Sequence, residues 1–391
     1  MIYTYDSTMT GAPVLSGTAG ALRTVLKACL VDGFSAGAVA SLTVADGVAT
    51  ATFSGAHPYK VGAVAQIAGA SPAVLNGLQR ILSVSGNAVT YAVPGIADGL
   101  ATGTITHKVA AAGWQELFAG QLANVIALKP SVVEATGCVL RVDDTGTTTA
   151  RVLGYESMSD ISSGVGPFPT AAQSATGLHW PKSSAASAAA RAWRCIASDR
   201  SLLVWFAPSA GATHGCLFGF GDLSSYRSGD AYGCAIFGGS GADVASAGAP
   251  VGGDLGFGHA SAPGSPDAYL ARASTALGGA IAAKKVAAHN VTAGYSGTAA
   301  YNPNGYTYPS PVDFGLRLAP AEVAAANAIR GRLAGVHHTA QVLGDAFSTG
   351  DVIQGEAAFA GRALMALRVG APSVALAAAG TVFVDTTGPW E

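Results

Sequence analysis

The sequence predicts an all-β protein: an N-terminal arm with a short helix, a small β-barrel module, then an elaborated antiparallel β-sandwich. Three observations lead there. Apolar residues alternate with polar ones at period two along many short stretches, the pattern of half-buried strands. Gly, Asn, Asp and Pro turn signals separate those stretches. Helical spacing is clear in one segment only, near the amino terminus.

Composition narrows the function. The 391-residue chain is long enough to bury a sizeable core. Only 11% of its residues are charged, against roughly 25% in an ordinary domain, and mean hydropathy is +0.37. So little charge implies that partner subunits cover much of the surface. The formal net charge of -2 argues against nucleic acid as a partner, because neutralising phosphates takes a concentrated basic surface. Lys284–Lys285 and the pair Arg330 and Arg332 read as solvated surface. The five cysteines, Cys29, Cys138, Cys195, Cys216 and Cys234, have no CxxC spacing and suggest neither a zinc site nor a disulfide framework. Their apolar flanks, as in "GCLFGFG" and "YGCAIFG", read as buried and inert. "MIYTYDSTMTGAPVL" lacks the basic and apolar regions of a secretory leader, and no run of about 18 apolar residues predicts a membrane helix.

Residues 1–37 form the arm. Leu22, Val25, Leu26, Cys29 and Leu30 recur at helical spacing, and "SGTAG" before them offers Ser/Thr caps, which predicts a helix over 19–31. With few charges to hold a surface face, this helix is expected to pack away from solvent, either docking the arm onto a neighbouring domain or subunit or entering the core. Residues 38–110 form the small barrel. "SLTVADGVATATFSG" is a hairpin around Asp46-Gly47, and "RILSVSGNAVTYAVP" turns at Gly86-Asn87. "GTITHKVA" puts Ile105, His107 and Val109 on one face. In "SPAVLNG", Leu75 plugs the barrel while Asn76-Gly77 turns the chain, and Gly62 relieves a backbone turn. His57 and Lys60 in this stretch read as loop residues.

The region from "VATATFSGAHPYKVGAVAQIAGASPAVLNGLQRILSVSGNAVTYAV" through "ATGTITHK" resembles a small β module of phage tail proteins, itself similar to the small barrel of ubiquitin-activating enzymes. The resemblance rests on the His-containing loop, Val-Gly-X-X-Val-X-Ile and Leu-Asn-Gly. It implies a structural or adhesive virion module and no ubiquitin chemistry. "RVDDTGTTTARVLGYESMSDISSGVGPFPTA" and the carboxyl-terminal "GTVFVDTTGPW" likewise look like proteins from tail gene clusters of phages of GC-rich bacteria.

Residues 111–391 form the sandwich, with long Gly/Ala/Ser-rich loops. "SVVEATGCVLRVDDTGTTTARVLGYESM" is a long hairpin with Asp143-Asp144 in its turn, and "ARAWRCIASDRSLLVWFAPS" a second with a turn at Ser198–Ser201. "LLVWFA" has no polar position and predicts a strand buried on both faces. Residues 239–276 read as an exposed excursion. "LAPAEVAAANAIRGRLAGVHH" fits a helix opening at Pro320 or a strand.

Catalytic chemistry is sparse. No nucleophile elbow, phosphate loop, HExxH or dinucleotide fingerprint is present. His337-His338 are adjacent and cannot share one ligand face, and Asp222 and Asp230 lack the dense ligand series of a calcium loop. No enzyme activity, cofactor or metal is expected. The loop "GTAAYNPNGYTYPSP" carries Tyr301, Tyr306 and Tyr308, a composition suited to recognition. The sequence therefore points to a structural component of a bacteriophage virion, in tail, baseplate or fibre, built as a symmetric homo-oligomer with other virion proteins. Such a protein is assembled in the host cytoplasm and ends on the particle's exterior, without membrane insertion. The alternatives are a glycan-recognising receptor binder, a depolymerase, or a head decoration protein. Trp180, Tyr226, Tyr232 and the three loop tyrosines are the aromatic platforms for a host surface glycan.

Overall fold

The computed structural model describes residues 1–239, 268–287, 306–326, 328–339, 341–343, 345–369 and 380–390. Antiparallel sheet dominates, with one short α-helix near the amino terminus.

The chain opens with β1 (Tyr3–Asp6), then α1 (Ala21–Lys27), which continues into one π-helical turn over Ala28–Asp32. The helix lies where its apolar spacing predicts, and Leu22, Val25, Leu26, Cys29 and Leu30 are all buried in the principal core. Its cap differs from expectation. No Ser or Thr side chain caps it, and the Leu22 and Arg23 amides donate instead to Asp144 Oδ2, at 2.7 and 3.1 Å. Gly33 ends the helical segment at φ +72°, where a Cβ would lie 2.4 Å from the Val109 carbonyl oxygen.

Eight strands follow: β2 (Phe34–Ala38), β3 (Ser41–Ala45), β4 (Val48–Thr52), β5 (Val64–Ala68), β6 (Gly77–Val84), β7 (Ala88–Ala92), β8 (Gly99–Leu100) and β9 (Thr106–Val109). They pair in the order β2-β9-β5-β6-β7-β4-β3-β8. The curl has a simple cause: β2 and β3 are one strand bent at Val39–Ala40. Val39 N donates to Ile105 O and Ala40 N to Thr52 O, so β2 at one end of the order runs straight into β3 near the other and the sheet curls barrel-like. Asp46 and Gly47, at φ +49° and +73°, make the tight turn their pairing predicts. Leu75 is fully buried, and the Asn76 side chain bonds both the amide and the carbonyl of Ala70 at 2.8 Å.

The next sheet holds β10 (Gln115–Leu117), β11 (Val125–Lys129), β12 (Val139–Asp143), β13 (Thr149–Asp160), β14 (Ser163–Phe168) and β15 (Leu178–Pro181). β12 and β15 flank the first half of β13. Leu140, Val142, Ala150 and Val152 face inward, and Val139 faces a small outer cluster with Val125, Ala127 and Ile161. Gly154 of β13 sits against the buried Phe168 ring, and an added Cβ would come within 2.3 Å of it. Gly154→Ala is therefore expected to cost roughly 1–3 kcal/mol by overpacking, read as a lower urea midpoint at unchanged slope.

The largest sheet runs through β16 (Ala192–Ala197), β17 (Ser201–Ala207), β18 (Cys216–Asp222), β19 (Ser224–Ser225), β20 (Cys234–Phe237), β21 (Ala268–Leu270) and β22 (Ile281–Ala287). After β23 (Tyr306–Thr307) it resumes with β24 (Ala319–Ala325) and β25 (Ala328–His338). β26 (Gln341–Val342) pairs with β23, and β27 (Val352–Gln354), β28 (Ala363–Val369) and β29 (Gly380–Asp385) complete it. The order is β1-β16-β17-β18-β20-β21-β22-β24-β25-β29-β28-β27, with β19 on β25. As "LLVWFA" predicts, β17 is buried on both faces. Leu202, Val204 and Phe206 enter the principal core, while Leu203, Trp205 and Ala207 enter a second core with Leu367, Val369, Val382 and Val384. The sheet thus folds back over itself, and Trp205 Nε1 donates to Arg368 O at 2.9 Å.

Several expectations change. Residues 1–37 are not a separate arm, because β1 pairs with β16 and α1 belongs to the core. "LAPAEVAAANAIRGRLAGVHH" is a strand pair, with Ala319, Ala321 and Val323 buried at period two. Of the excursion over 239–276, residues 240–267 lie outside the described residues, but Ala268–Leu270 is a fully buried strand between β20 and β22. Arg330 is buried, in a pair with Asp230. All five cysteines are buried free thiols. Cys29 meets Cys195 and Cys138 meets Cys234, with burial pushing the Cys29 and Cys234 thiols far up.

Candidate functional site

A cleft of about 660 Å3 opens where the β16–β17 turn, the β18–β20 connection and the carboxyl-terminal Pro389–Trp390 meet. Turn chemistry shapes it. Ser198 Oγ accepts the Arg200 and Ser201 amides at 3.1 and 2.9 Å, which fixes the turn and sets Asp199 and Arg200 on the cleft wall. Serines 198, 201, 224, 225 and 228 make the lining rich in hydroxyls.

Its carboxylates are Glu134, Asp199, Asp222 and Asp230. Burial raises the Asp222 carboxyl above its ordinary value, although Thr136 donates to both oxygens, from its amide at 3.0 Å and its hydroxyl at 2.6 Å. Burial would raise Asp230 too, but hydrogen bonds from Arg330 and Ser225 outweigh it and hold that carboxyl below its ordinary range. Arg330 Nε and Nη2 grip the two oxygens at 2.6 and 2.7 Å. Both aspartates thus hold strands together, Asp222 tying the 134–136 loop to β18 and Asp230 tying the β19–β20 connection to β25. Among the described residues no group of three or more His, Cys, Asp or Glu could hold a metal ion. The lining presents hydroxyls and carboxylates for hydrogen bonding to a polar ligand.

The aromatic candidates do not converge on this cleft. Trp180 is fully buried, its indole N–H donating to Phe237 O at 2.9 Å. Tyr232 lies under Arg272, 4.2 Å from ring centroid to guanidinium carbon. Tyr226 is 51% exposed next to the cleft, with its hydroxyl between Glu322 and Arg332. Of the recognition loop, Tyr301 lies outside the described residues and Tyr306 opens β23. Tyr308 is partly buried, packing on Phe347 at 5.5 Å in a small core with Leu364 and Phe383. His337 packs edge-on against Phe359 and His338 is buried. His57 is half-buried and bonds Ser85 O at 2.9 Å, while Lys60 reaches Asp6 at 2.7 Å, tying the barrel to β1.

The sequence reading missed one polar site entirely. Asp144 and Lys182 are both fully buried and in direct contact. Lys182 Nζ also donates to Thr18 O at 2.7 Å. A lysine directly after the apolar "LHWP" strand was the available signal, and the "DDTG" turn composition hid its partner. No protein-family model matches the chain, and no curated protein is significantly similar to it.

Proposed function

We propose that the chain is a structural component of a bacteriophage virion, in tail, baseplate or fibre, that works by assembling with copies of itself and with other virion proteins. The observation that carries this reading is the outer face of β6. Leu78 and Leu82, 45% and 50% exposed, alternate there with Arg80, and the exposed Val61 lies beside them, next to the Gly62 amide that donates to Ile81 O at 2.8 Å. Arg80 does not break the apolar surface, because its guanidinium turns away to the carbonyls of Ile2, Gly62 and Thr386 at 3.0–3.2 Å. A protein so poor in charge keeps such a patch dry by covering it with a neighbouring subunit. The resemblance of this module to small barrels of phage tail proteins supports the same reading.

The test is on particles. Purified virions of the phage encoding the chain are expected to contain it in a fixed multiple per particle by quantitative mass spectrometry. A Leu82→Lys variant is expected to fold with unchanged melting yet be depleted from particles at least several-fold. Absence of the wild-type chain from purified particles overturns the reading.

A further inference from the structure

We propose that Lys182 and Asp144 condense within the folded chain into an amide, a covalent cross-link between the ends of β12 and β15. Both side chains are fully buried and Nζ lies against Oδ1. The backbone holds them in place: Asp144 N donates to Asn124 O at 2.9 Å, Gly20 N to Asp144 O at 2.8 Å, and Lys182 N to Thr148 O at 2.9 Å. Two reacting groups so confined have an effective molarity of about 10⁵ M or more.

Three features of the surroundings favour condensation over a resting ion pair. Burial disfavours both charges, raising the Asp144 carboxyl and lowering the Lys182 ammonium, so that passing the proton from ammonium to carboxylate costs less here than in water. The Leu22 and Arg23 amides at 2.7 and 3.1 Å from Oδ2 are placed to stabilise the oxyanion formed when nitrogen adds to Cγ. Thr18 O, 2.7 Å from Nζ, accepts the one N–H that the product amide retains.

The step balances without another reactant. One ammonium proton moves to Oδ1, leaving an amine beside a carboxylic acid. The amine lone pair attacks Cγ, and the carbonyl π electrons move to Oδ2. Collapse of this intermediate breaks the Cγ–Oδ1 bond, and Oδ1 leaves as water with a second proton from nitrogen. The third proton remains on the new amide.

The experiment is intact-mass spectrometry of the purified full-length chain, followed by trypsin digestion. The expected chain is lighter than its sequence by one water. Trypsin fails to cut after Lys182, and a branched peptide joins residues 142–151 to residues 152–191. An intact mass equal to the sequence overturns the proposal, as does a lost water accompanied by cleavage after Lys182. Asp144→Asn provides a control on the chemistry, since condensation there releases ammonia and gives the same branched product.

Discussion

A chain lacking residues 1–35 is expected to lose its cooperative unfolding transition. The deletion removes Leu22, Val25, Leu26 and Leu30, each at most 1% exposed in the principal core. At about 1.5–3 kcal/mol per buried side chain these four alone contribute roughly 6–12 kcal/mol, against a net stability of about 5–15 kcal/mol for a typical domain. The loss goes beyond area. β1 covers the edge of β16 over the register Tyr3–Asp6 against Arg194–Ala197, so truncation bares a strand edge next to the fully buried β17. Tyr5 donates its hydroxyl to Ala110 O at 2.8 Å, fixing the chain where it leaves the barrel. Asp144 loses both backbone donors and Lys182 loses Thr18. Circular dichroism melting and size-exclusion chromatography of the truncated chain check this. A soluble product with the native melting curve would return the segment to the role of a detachable arm.

Local patterns in this chain specify single hairpins and strands, whereas the pairing of distant segments leaves no local trace. The barrel was legible because its information is local: alternation fixes which residues face inward, and Asp46-Gly47 fixes a turn within the same hairpin. The two-sided burial of β17 was legible for the same reason. What joins distant parts was not. β1 has only four residues and its partner lies about 190 positions away, so nothing near "YTYD" states that it is an interior edge. α1 carries the apolar spacing of a docking helix and of a core helix alike, and only the sheets above it decide between them. "LAPAEVAAANAIRGRL" fits both periods because alanine tolerates both, and pairing of β24 with β22 and β25 settles it as strand. The polar residues failed in a more instructive way. Asp144 sits in a sequence that reads as turn, and Arg330 beside Arg332 reads as surface. Each is buried because a partner of opposite charge arrives from far along the chain.

Arg330→Met is expected to be the most damaging single substitution at the cleft, costing about 3–5 kcal/mol, because it leaves a buried carboxylate without its counter-charge. Asp230 and Arg330 side chains are each 4% exposed, and the pair is bidentate. Ser225 donates to the same carboxylate at 2.8 Å, and Tyr226 N donates to Arg330 O at 3.1 Å, so the pair also positions β19 on β25. The acid dependence follows from the sign of the shift. Hydrogen bonds with Arg330 and Ser225 lower the Asp230 carboxyl against the opposing effect of burial. A lowered carboxylate contributes stability that is fully present above the unfolded value of about 4, and that is lost as pH falls through the lower folded value. Wild-type stability is thus expected to fall more steeply below about pH 4 than that of an Asp230→Leu, Arg330→Met double variant, in which no buried charge remains. The double variant is also expected to recover most of the loss at neutral pH, since replacing a buried pair with packed apolar side chains is commonly near neutral. Urea denaturation of the three proteins at neutral and acidic pH separates these terms. If Arg330→Met alone melts like the wild type, Asp230 is solvated and the β19–β25 junction does not depend on the pair.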